Sequence, residues 1–75
     1  MNIQAPMSGN VWKIQVKELD QVNVGDVLVI LESMKMEIPI EAETAGFILK
    51  ICVSEGDFTQ EGDCLLTMKQ KEEPL

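Results

Sequence analysis

Apolar and polar residues alternate with a two-residue period along much of the chain. Trp12, Ile14 and Val16 alternate with Lys13, Gln15 and Lys17; later, Phe47, Leu49, Ile51 and Val53 share one parity while Lys50 and Ser54 lie on the other. Successive side chains of a strand point to opposite faces, so this pattern predicts half-buried β-strands. Two further runs, 27–31 and 64–68, are apolar at almost every position, and each follows directly on a Gly-Asp turn pair, Gly25-Asp26 or Gly62-Asp63. The first run is apolar on both parities, so alternation does not assign its inward face. Pro39 lacks the N–H that a ladder needs and points to an edge strand or an irregularity after Lys35.

The pattern is written twice. A shift of 37 residues aligns residues 5–31 with 42–68 without a gap, and ten of the 27 pairs are identical: Ala5, Gly9, Lys13, Ile14, Val16, Glu18, Asp20, Gly25, Asp26 and Leu28 with their partners. An internal repeat of β-type segments predicts an all-β domain of two antiparallel sheets related by a pseudo-twofold axis and closing as a flattened barrel. Glu32 to Glu37 joins the two copies, and its counterpart under the twofold is the pair of chain ends. The termini should therefore cluster at one pole and Lys35 should stand at the other.

With 75 residues the chain is one domain, 1–70, with a C-terminal tail over 71–75 expected to fray. A domain near this size buries only about 60% of its unfolded surface, which leaves little depth for an enzyme cleft. Thirteen acidic residues against six lysines give a net charge of −7, which disfavours nucleic acid and anionic membrane surfaces as partners. There is no His, so His-based triads and metal sites are excluded and no metal is expected. Cys52 and Cys64 are too few and too widely spaced for a zinc ribbon or a redox pair; Cys52 falls on the outer parity, and Cys64, aligned with Val27, is expected to be a buried thiol. The lack of a disulfide framework, of a signal peptide and of a long apolar run leads us to expect a soluble cytoplasmic protein; a monomer is expected as well. Trp12 is expected to serve in core or edge packing rather than as a platform for a ligand.

One short segment breaks the local rules. Glu32-Ser33-Met34-Lys35-Met36-Glu37 must be a tight connection between strands, yet it holds no Gly, Asn or Pro. A two-residue hairpin of the favoured type needs φ > 0 at both central residues, where Met-Lys is strained. Locally poor choices of this kind are where functional sites are expected. Taken alone, Met34 and Met36 would equally suit a core, with Lys35 as solvated surface.

The ordered set Ala5-Pro6-Met7-Ser8-Gly9, Val24-Gly25-Asp26-Val27-Leu28, Glu32-Ser33-Met34-Lys35-Met36, Ile40-Glu41-Ala42 and Gly46 resembles the biotinyl/lipoyl attachment domain family over residues 3–69, including a Gly eleven residues after the Lys. The resemblance is strongest to its free-standing bacterial members. It implies a flattened barrel of two four-stranded sheets (a barrel-sandwich hybrid) with the Lys at a β-hairpin tip. It also implies covalent biotin on Lys35, with Met34 and Met36 read by a biotin protein ligase and Glu32 and Ser33 as the flanking motif. Glu32 and Glu37 are either part of the ligase surface or a solvated rim. The biotin arm would carry a carboxyl group between the sites of a biotin-dependent carboxylase and carboxyltransferase, and the domain itself would be a carrier and not an enzyme.

Two departures from the family pattern qualify this. Ser33 stands where biotinyl domains have Ala, and Glu32-Ser33 is similar to the start of the lipoyl motif, although Met34 replaces the Asp that lipoyl domains carry. Lipoate on Lys35, added by a lipoate ligase, is thus an alternative, as is an unmodified binding module using a Met-rich tip. The protruding loop of some carboxyl carrier proteins is absent.

Overall fold

Eight strands and no helix make up residues 1–71, the part of the chain that the computed structural model describes. The strands are β1 (Asn2–Gln4), β2 (Gly9–Ile14), β3 (Gln21–Val22), β4 (Val27–Ser33), β5 (Met36–Glu41), β6 (Gly46–Ile51), β7 (Phe58–Thr59) and β8 (Cys64–Gln70). They form two antiparallel four-stranded sheets, ordered β1-β8-β6-β3 and β5-β4-β2-β7. Advancing 37 residues carries β2 onto β6, β3 onto β7 and β4 onto β8, and Asn2–Gln4 onto the second half of β5. The two sheet orders then correspond strand for strand, and each matched pair shares one burial pattern. The sequence repeat is therefore a structural repeat. Pro39 lies on β5, an edge strand, as its missing N–H requires. Of the expected tail only Lys71 is described; its N–H donates to the Ala45 carbonyl at 2.9 Å, and residues 72–75 lie outside the described part.

Four aspartates close the turns between the strands. In 17–20, 23–26, 54–57 and 60–63 the Asp N–H donates back to the first residue's carbonyl at 3.0–3.1 Å. The Asp carboxylate in turn accepts that residue's N–H at 2.8–3.0 Å. The third residue of each turn has positive φ: Leu19 74°, Gly25 91°, Gly56 95° and Gly62 90°. Positive φ at that place defines a type II turn and favours glycine; Leu19 is the one exception.

Paired β-bulges decide which residues enter the core. In the β2–β4 ladder Val11 faces Leu31 and Lys13 faces Ile30, so Trp12 is the extra residue; Leu49 is the extra residue between Ile48 and Lys50 in the β6–β8 ladder. An extra residue reverses the alternation. Val11 and Ile48 are buried while Trp12, Phe47 and Leu49 are exposed, contrary to the parity expected for them; for Trp12 this excludes the core and leaves edge packing. Beyond the bulges the alternation holds, with Ile14, Val16, Ile51 and Val53 packed against the core. A register shift opposite β5 likewise lets the adjacent residues Leu28 and Val29 both point inward, and the first sheet repeats this with Leu65 and Leu66. Lys13 Nζ lies 5.7 Å from the centroid of the Trp12 ring, a cation–π contact on the outer face.

The fold also joins the two cysteines. Cys52 follows directly on β6 beside the start of β8, its N–H donating to Leu65, and the Sγ atoms of Cys52 and Cys64 stand 3.5 Å apart. Sequence separation concealed this proximity, since the connecting segment turns back on itself at 54–57 and 60–63. Cys52 is exposed, as its parity indicates; Cys64 is half-buried and not the fully buried thiol expected.

The molecule measures 41 × 18 × 18 Å. β4 and β8 both leave a shared waist, where Ala42 donates to Asp26 and Ala5 to Asp63. A seven-residue strand spans about 23 Å. The long axis nearly equals two such strands laid end to end, which sets the tip beyond β4 and the end of β8 at opposite poles. At the second pole the N-terminal ammonium donates to the Met68 carbonyl at 2.6 Å, so the chain begins beside the strand on which the barrel ends.

Candidate functional site

The pole beyond β4 is a two-residue hairpin. Ser33 and Met36 are the last paired residues of β4 and β5, and Met34 and Lys35 make the turn with φ of 52° and 64°. Left-handed backbone at both central residues matches a type I′ turn, whose twist suits the strands but whose usual occupants are Asn-Gly. The strain expected from the sequence is present, about 1–2 kcal/mol at each non-glycine residue. The core alternative for the two methionines is overturned: Met34 is 91% and Met36 64% exposed. They flank Lys35, itself exposed, as two apolar arms in water. Lys35 thus occupies the most accessible kind of position that a barrel offers, on a turn whose backbone is held by the ladder beneath it.

That ladder contains features the sequence did not signal. Glu32 and Glu37 are direct partners across the hairpin and both are exposed, so two carboxylates stand side by side one pair below Ser33 and Met36. Like charges opposite one another weaken a hairpin, which makes this second local conflict close to the tip. Ser33 is half-buried. Gly9 lets β2 approach the base of the tip: a Cβ there would come within 2.8 Å of the Glu32 carbonyl oxygen and 3.4 Å of Ser33 Cβ. Asn10 pairs with Glu32 on one side and Phe58 on the other, tying the hairpin through β2 to β7. The buried Thr59 hydroxyl donates to the Gly9 carbonyl at 3.2 Å. Among the described residues, no three His, Cys, Asp or Glu side chains are grouped to hold a metal ion.

The structure is thus a twofold-repeated all-β barrel with an exposed lysine in a strained turn at one pole. Residues 1–68 match the biotin/lipoyl family, described as biotin-requiring enzyme, and the chain belongs to that family. It is 48% identical over 68 residues to the biotin/lipoyl attachment protein of Bacillus subtilis, covering 91% of this chain and 93% of that one. It is 44% identical over 64 residues to the biotin carboxyl carrier protein of Streptococcus mutans, covering 85% of this chain and 49% of the other. The fold agrees as well. A single-chain, multi-domain long-chain acyl-CoA carboxylase superposes with a TM-score of 0.91 at 27% identity, over 97% of this chain and 7% of that one. The lipoyl domain of the 2-oxoglutarate dehydrogenase complex from Azotobacter vinelandii superposes with a TM-score of 0.80 at 27% identity, over 92% and 95% of the two chains.

Proposed function

We propose that this chain is a biotin carrier in which Lys35 is the attachment residue. The observation that carries the reading is the lysine's place at the exposed tip of a strained hairpin, between two solvent-exposed methionines. Relatives named as a biotin/lipoyl attachment protein and a biotin carboxyl carrier protein support biotin as the group carried.

The site residues suit that role. A lysine amine in water is mostly protonated at neutral pH and becomes a nucleophile only on losing its proton. A ligase must therefore bring an activated acyl group and help remove that proton, and both need access from all sides, which the tip provides. Amide formation removes the lysine's charge and extends its side chain into a long arm. Met34 and Met36 offer flexible, polarizable surface for a ligase to read. Glu32 and Glu37 give the base of the tip a negative rim that can meet basic groups on partners. The ladder from β5 to β7 holds the arm's root in place. Biotin, when bound, supplies the chemistry of carboxyl transfer; the domain contributes position and presentation, and the bond-making belongs to carboxylase and carboxyltransferase partners.

A lipoyl carrier is the second reading, favoured by the lipoyl-domain likeness of the fold and by Glu32-Ser33. The test is incubation of the purified chain with ATP and either biotin plus biotin protein ligase or lipoate plus lipoate ligase, read by intact mass and peptide mapping. We expect one biotinyl group on Lys35 and none in Lys35→Arg, which keeps the fold because the side chain is exposed. A lipoyl group alone on Lys35 would replace biotin with lipoate. No adduct from either ligase would leave an unmodified binding module.

A further inference from the structure

We propose that Cys52 and Cys64 form a redox-active dithiol that closes to an intrachain disulfide, stapling the end of β6 to the start of β8 and closing the loop that carries β7. Their sulfurs stand 3.5 Å apart, close enough for a small rotation of either side chain to bring them into bonding range. Cys52 is exposed and open to an incoming oxidant, while Cys64 is half-buried behind it. Burial, the hydrogen bond with Cys52 and the charge of Cys52 push the Cys64 thiol up, with Lys50 opposing. The two sites are thus unequal: Cys52 is the thiol a reagent meets, and Cys64 is the one that resolves.

The oxidant class is a small-molecule disulfide. The Cys52 thiolate attacks one sulfur of the reagent, forming a mixed disulfide and expelling the first thiolate. Cys64, having lost its proton, attacks Cys52 Sγ and expels the second thiolate. The protein gives up two electrons and two protons, and one reagent disulfide becomes two thiols.

The pair belongs to one copy of the repeat alone. Gln15 and Val27 occupy the matching places in the other copy, so the fold itself shows that Gln and Val are tolerated there. The twelve-residue separation encloses β7, whose Thr59 and Phe58 pair with Gly9 and Asn10 at the base of the Lys35 hairpin. Closing that loop restricts the segment that supports the hairpin from below. This inference stands independently of what Lys35 carries.

The test equilibrates the full, reduced chain in glutathione buffers of rising oxidised fraction, with intact mass, non-reducing peptide mapping and amide exchange as readouts. We expect a monomer two hydrogens lighter, a Cys52–Cys64 cross-link whose yield is independent of protein concentration, and slower exchange over 53–63. Cys52→Gln and Cys64→Val should each abolish the cross-link. In Cys64→Val, Cys52 should instead accumulate as the glutathione mixed disulfide. Accumulation of that mixed disulfide in the unaltered chain, or cross-links only between chains, would overturn the proposal. Unchanged exchange over 53–63 in the oxidised form would refute the staple.

Discussion

Among the described residues, three hold positive φ without being glycine: Leu19, Met34 and Lys35. Their situations differ. Leu19 matches Gly56 in the other copy, and glycine fills the same place in the remaining two turns of this kind. Its side chain is 81% exposed, so nothing in the core requires it. Leu19→Gly removes about 1–2 kcal/mol of left-handed strain and adds about 0.5–1 kcal/mol of unfolded-chain entropy. A net gain of about 0.5–1 kcal/mol is expected, seen as a Tm higher by roughly 2–8 °C in a thermal melt. At the tip, Met34→Asn together with Lys35→Gly installs the residues a type I′ turn favours. That double variant should be more stable by about 1–2 kcal/mol in urea unfolding and should lose acylation by ligase altogether. A stable hairpin that can no longer be modified is the signature of strain retained for function. The tip was legible in the sequence because a tight turn without Gly, Asn or Pro is a visible local conflict. The exposure of Met34 and Met36 follows from that tip placement, and the structure excludes the rival reading of them as core residues.

Strand pairing carries the second layer of meaning. The two bulges, at Trp12 and Leu49, reverse the alternation that the sequence presents, which is why simple parity placed Phe47 and Leu49 inside and left Ile48 out. No residue at either bulge announces it; each is set by the partner strand's register, a long-range property. The Glu32–Glu37 pair is another product of register. Glu37→Lys turns a repulsive cross-strand pair into an attractive one and should stabilise the domain by about 0.2–1 kcal/mol, an increment that shrinks between low and high salt in parallel melts. Gly46 tests close approach: a Cβ there would collide with the Lys69 carbonyl, which is backbone and cannot move aside cheaply. Gly46→Ala should therefore cost about 1–3 kcal/mol, whereas Gly62→Ala, with open space around it, should show only the strain of its positive φ. Chemical denaturation of the two variants side by side separates the mechanisms.

For the molecule as a whole, the twofold repeat explains both the economy of the core and the polarity of the barrel. The buried set draws matched residues from the two copies, Val11 with Ile48, Leu28 with Leu65, Val29 with Leu66 and Leu31 with Met68. A domain this small has a stability of about 5 kcal/mol, so the loss of one such member is severe. Ile48→Ala, at a position with no exposed surface, should cost about 2–5 kcal/mol and leave a substantial unfolded fraction by circular dichroism at 37 °C. The repeat also sets the strained hairpin at one pole. Where the first copy runs on into the second there is a hairpin, and the end of β8 lies at the other pole beside the start of the chain. By itself the sequence determined the all-β class, the repeat, the two Gly-Asp turns and the residue at the tip, because each rests on local pattern, turn chemistry or self-comparison. The tertiary structure alone decided the inward faces, the side-by-side carboxylates and the meeting of Cys52 with Cys64, because these depend on strand register and on which segments the closed barrel brings together.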